Sequence, residues 1–196
     1  MRQQTAMTRL GLLAIAVSLV TLGIGIASWF LRAPGMTGLA VLVGFILGDA
    51  IVGLTVWAFY EAWTLAKGGD AEVYMRTAFV ALLGIPTAAI VIQTLASWLS
   101  PAAHVRILGT AAYSIAVLVP FALSCAGLLR ARWVASAIPW IGMGWLGIAV
   151  LGTLVGSLPW VTQLIWVRQT LQVGAWALQV VFSLALGVAL LGTERS

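Results

Sequence analysis

The sequence predicts an all-α protein, a polytopic transmembrane helix bundle of six spans with both termini in the cytoplasm. Three observations carry this. The chain is 62% hydrophobic and only 8% charged, with a mean hydropathy of +1.10, whereas a soluble domain is about 25% charged. Its apolar residues come in runs longer than about 18 residues, long enough to cross a bilayer. Its lysines and arginines alternate in density from one inter-run segment to the next. No segment between the runs could bury a core of its own, so residues 1–196 form a single transmembrane domain.

Each span is bracketed by charge or turn chemistry. The first, 10–31, lies between Arg9 and Arg32. The second, 37–62, is interrupted only by Asp49 and Glu61. The third, 77–98, follows Arg76 and stops before Ser100-Pro101. The fourth, 107–129, lies between Arg106 and Arg130. The fifth, 134–157, and the sixth, 170–191, complete the set. At about 1.5 Å per residue each can cross a core about 30 Å thick. Residues 158–169 read as an interfacial or re-entrant segment. Ser157 and Pro159 there form a helix-start signal, and Trp160, Leu164 and Trp166 suit headgroup depth. Arg2, Arg9 and Gly25-Ile26-Ala27 imitate a secretory signal. The apolar run continues to Leu31, so a retained first span is expected.

Six spans put Arg2, Arg9, Lys67, Arg76, Arg130, Arg132 and Arg195 on one side and Arg32, Arg106 and Arg168 on the other. Seven against three predicts an inner-membrane protein with the basic side in the cytoplasm. Most of the ten tryptophans fall at the two predicted interfaces, where an amphipathic ring anchors without further function. Trp145 and Trp176 lie deeper and read as packing or pocket residues.

Residues 47–56 of the second span resemble residues 146–155 of the fifth, with Leu, Gly, Ala, Gly and Val recurring in step. Either the chain is a 3+3 inverted duplication, or two membrane helices share a small alphabet. In a duplication Asp49 would align with Ile148, breaking the symmetry at the one charged site.

Several classes of chemistry are excluded for a single chain. Cys125, His104 and Lys67 are the only residues of their kinds, which rules out an intrachain disulfide, bis-histidine haem and three-histidine zinc. No nucleophile–base set, phosphate loop or His-Glu-x-x-His helix occurs. The sequence therefore leans away from an enzyme, and no cofactor or metal is expected. The net charge of +5 serves topology rather than nucleic-acid binding.

Asp49 is the deepest charge in any apolar run, and a carboxylate at the bilayer centre costs roughly 2.5–3.5 kcal/mol on insertion scales. It is expected either to tie helices or subunits together, to pair with an arginine or bound cation, or to exchange protons along a hydrated path. Arg168, Gln172 and Gln179 recur on one face of the sixth span, and Ser183 continues it. Gln179 shares the predicted depth of Asp49, which suggests a contact. Gln93 and Thr94 could line an outer vestibule, and Glu61 reads as a solvated charge near the inner interface.

The sequence thus predicts a transporter- or channel-like protein that moves a small solute or ion. Asp49 would be its proton or cation site, and Gln179, Gln172, Arg168 and Gln93 its polar lining. The alternative is a non-catalytic accessory subunit of a larger membrane complex, respiratory or photosynthetic in type. Either reading expects the lipid bilayer and further copies or other membrane subunits as partners.

Overall fold

The computed structural model describes residues 2–30, 37–99, 112, 114–157 and 165–192. Among them six helices occur and no strand: α1 (Arg2–Phe30), α2 (Thr37–Ala66), α3 (Glu72–Leu99), α4 (Val119–Ala131), α5 (Ala137–Ser157) and α6 (Ile165–Gly192). Five described stretches are long and apolar enough to cross a membrane, namely Gln4–Ala27, Ile46–Ala66, Ser114–Ala131, Ala137–Val155 and Gln169–Gly192. Helices of this length and composition define a multi-pass membrane protein. α3, which carries Glu72, Arg76, Pro86 and Thr87, is not among the five.

Helix boundaries follow local chemistry. Between α2 and α3 the chain reverses over residues 67–71. Gly68 takes a left-handed φ of 81° there, and its N–H donates to Glu72 Oε2 at 2.8 Å. α4 is preceded by a turn at residues 117–118. Pro120 has no N–H to continue the ladder from the preceding turn, so the helix restarts around it. α4 ends on Arg132, the one described non-glycine residue with a positive φ (53°), whose N–H closes on Leu128 O at 3.1 Å. A cation at a helix C-terminus also complements the partial negative charge there. Pro139 falls in the first turn of α5, where proline is tolerated. Of the expected segment 158–169, residues 165–169 belong to α6 and residues 158–164 lie outside the described residues.

Each helix packs against its neighbours in sequence, and α6 packs back on α1, so the six close into a ring. Neighbours run in opposite directions. Arg9 at the start of α1 meets Glu61 near the end of α2. Phe121 and Cys125 of α4 meet Trp145 and Gly142 of α5 in reverse order. Trp145 stacks on Phe182, and Gly152 approaches Leu171. The start of α1 and the end of α6 therefore share one end of the ring. Arg2, Arg9, Lys67, Arg76, Arg130 and Arg132 all sit at that end by their positions in the helices.

The ring closes along the α1–α6 seam. Ser18 Oγ donates to Val180 O at 3.1 Å, and Trp176 Nε1 donates to Thr21 O at 3.0 Å. Gly11 and Gly187 bring the two backbones together. A Cβ on Gly187 would lie 2.5 Å from Ile15 Cγ1 and 2.7 Å from Gly11 O. Small residues are the usual device for close helix approach in lipid, where no hydrophobic effect drives helices together.

This seam makes a direct test. Gly187→Ala is expected to lower the thermal unfolding midpoint, at a cost of about 1–3 kcal/mol from overpacking. Gly23→Ala, where an added Cβ meets nothing within 4 Å, should leave the midpoint unchanged or raise it slightly.

Candidate functional site

A cavity of about 90 Å³ lies inside the ring and is lined by side chains from all six helices. Its walls are mostly apolar. Four aromatic rings form one side, Phe59 of α2, Phe121 of α4, Trp145 of α5 and Phe182 of α6. They run in a chain, with Phe59 edge-on to Phe121 at 5.3 Å, Phe121 edge-on to Trp145 at 5.3 Å, and Trp145 stacked on Phe182 at 6.5 Å. Such pairs contribute about 0.5–1.5 kcal/mol each beyond the area they bury, so the row also ties four helices together.

Four polar side chains interrupt the apolar wall: Thr55, Ser124, Gln179 and Ser183. Gln179 and Ser183 lie one turn apart on α6 and share a face. Ser124 Oγ donates to Phe121 O at 2.9 Å, which leaves its lone pairs toward other donors. No hydrogen bond joins the Gln179 carboxamide to a described residue. A carboxamide offers two donor hydrogens and two acceptor lone pairs. In a small apolar chamber it is the group that would orient a guest.

The sequence-predicted residues separate. Gln179 lines the cavity. Gln172, two turns earlier, is exposed. Helices that cross at an angle cover one face only where the neighbour lies, so a common face need not stay inside along its length. Gln93 is in α3 and Arg168 in α6, with side chains outside the described residues. Asp49 lies mid-way along α2 and is exposed on the outer surface, away from the cavity that Gln179 lines. The reason is helix phase. Ala58 faces the cavity nine residues later, about two and a half turns at 3.6 residues per turn, which points Asp49 the opposite way. The expected Asp49–Gln179 contact is not made.

Glu61 departs from its expected solvated state. Its side chain is only 10% exposed, while Arg9 opposite is 61% exposed. Glu61 Oε1 accepts from Trp57 Nε1 at 3.2 Å and lies 3.9 Å from Arg9 Nη1. The carboxylate thus joins α1 to α2 at the basic end, beside the cavity-lining Leu10 and Ala62. The signal for this was present in the sequence, since Trp57 precedes Glu61 by one helical turn and Arg9 ends the basic lead of the neighbouring span. Among the described residues, no group of three or more His, Cys, Asp or Glu could hold a metal ion.

Comparison with protein-family models, with curated proteins and with solved structures found no match.

The buried carboxylate gives a local prediction. Glu61→Ala should shift the indole N–H resonance of Trp57 and lower the unfolding midpoint. Glu72→Ala, which removes only the cap on Gly68, should leave the Trp57 resonance in place.

Proposed function

We propose that the chain is a small transporter- or channel-like protein of the inner membrane, and that its solute site is the cavity inside the ring. The observation that carries this is the convergence of six helices on one chamber containing the carboxamide of Gln179. A simple anchor or spacer has no need of a polar group there, because an amide in apolar surroundings costs free energy unless it is bonded. Gln179 and Ser183 orient the solute, Thr55 and Ser124 add hydrogen-bonding capacity, and the aromatic row shapes the wall.

The topology belongs to the same proposal. Six spans with both termini in the cytoplasm are supported by the shared end of α1 and α6 and by the six cations gathered there. A 3+3 inverted duplication is supported by the direction of α4, which ends at the basic end where α1 begins.

In the sequence reading Asp49 carries the proton or cation. Its exposure on the outer surface of α2 favours a different role, a contact with a neighbouring membrane protein or a second copy that shields the carboxyl from lipid. That observation also sustains a second reading, in which the chain is an accessory subunit of a larger complex and Asp49 faces its partner.

Reconstitution separates these readings. Under the transport reading, vesicles containing the protein take up small solutes faster than empty vesicles, and Gln179→Leu lowers the rate several-fold while Asp49→Asn leaves it close to wild type. Uptake no faster than in empty vesicles would sink transport. Native mass analysis in mild detergent checks the contact role, with Asp49→Leu expected to release a neighbour that the wild type retains. A wild-type protomer found alone would overturn that role.

A further inference from the structure

The cavity also bears on what kind of solute it accepts, an inference that rests on the reading of the chamber as the solute site. Among the described residues that line it, none is ionisable. The nearest carboxylate along α2, Glu61, is engaged by Trp57 and Arg9 and is not part of the lining. A charged guest would therefore lose its hydration without a counter-charge, which is the most costly form of burial. Four aromatic rings offer a cation some attraction, about 2 kcal/mol or more for a desolvated ring contact, set against a desolvation cost of several kcal/mol for the ion even after relaxation.

A guest without polar atoms is also poorly matched. Gln179, Ser183 and Thr55 make no hydrogen bond to described residues, so an alkane would bury them unsatisfied. Size sets the last limit. An engineered apolar cavity of about 150 Å³ takes benzene, and this one measures about 90 Å³. By proportion the guest is smaller, a molecule of roughly four non-hydrogen atoms, with a fifth reaching toward the open side of the cavity.

We infer that the cavity binds a small uncharged organic solute with a short apolar body and one amide, carbonyl or hydroxyl group. The polar group meets Gln179 and Ser183, and the apolar end lies on the ring wall formed by Phe121, Trp145 and Phe182. Charged molecules of the same shape are excluded.

Three probes of nearly equal size but different charge test this: propionamide, propionate and propylammonium. Each is titrated into the full-length protein in nanodiscs at neutral pH, following the Gln179 side-chain amide and the Trp145 indole resonances. Propionamide is expected to shift both saturably, and the two ions are expected to bind at least tenfold more weakly. Gln179→Leu should weaken propionamide about fivefold, the worth of a neutral hydrogen bond. Ser183→Ala is a smaller change that keeps the test alive if the first variant misfolds, and it should weaken binding about twofold on the same basis. Gln179→Glu should move the preference toward propylammonium. Equal or tighter binding of either ion to the wild type would overturn the inference, as would a propionamide affinity unmoved by substitution in folded variants. Uptake by vesicles is measured on the same preparation. Binding of propionamide without uptake leaves the ligand class standing and removes transport. Uptake of the ions without propionamide binding leaves transport standing and removes the ligand class.

Discussion

The close approach of α1 and α6 is the constraint on which the rest depends. Five of the six main helix pairings among the described residues join neighbours in sequence, and short connections favour four of them. The sixth has no such help, because it joins the first helix to the last. Gly11 and Gly187 allow the backbones to meet, and Ser18 and Trp176 each donate a hydrogen bond across the seam to a backbone carbonyl. With that seam open the helices would form a curved sheet facing lipid on both sides. With it closed they enclose a chamber, and the polar groups on α2, α4 and α6 converge within it.

Enclosure also sorts the polar residues into two kinds. Gln179, Ser183, Thr55 and Ser124 sit against other protein, in a space of limited size. Asp49 sits outside, on a surface that in a membrane meets lipid or another chain. Glu61 is a third case. It is buried at the basic end, where a tryptophan and an arginine from two helices share one carboxylate oxygen. A polar group in an apolar setting needs a partner. Here Glu61 finds one inside the protomer, Gln179 finds none among the described residues, and Asp49 faces outward.

How legible this was varied with the signal. The all-helical, membrane-spanning class was readable because apolar length is a property of the chain itself. Even so, α1 begins at Arg2, eight residues before the expected span starts at Leu10, because Gln3, Gln4 and Thr5 can extend a helix beyond its apolar run. The inner face of α2 was not readable. That helix is apolar almost all round, so no stripe distinguishes Ala58 and Phe59 from Ile46 and Val52. Asp49 stood out by its cost, and cost alone does not say which way a side chain points. Glu61 is the opposite case, since a place near a span end suggests solvation, and the burial of its carboxylate depends on Trp57 and Arg9.

The sequence by itself determined the solvent, the helical class and the asymmetry of charge between the two ends, because each depends on residue type and spacing along the chain. Only the tertiary structure decided which polar residues meet. That depends on the rotation of each helix about its axis, and rotation is set by the fit of small residues such as Gly11, Gly142 and Gly187 against particular neighbours. Hydropathy is nearly blind to rotation in a membrane, where the outer face of a helix can be as apolar as the inner one. The chamber around Gln179 and the outward position of Asp49 both follow from that fit.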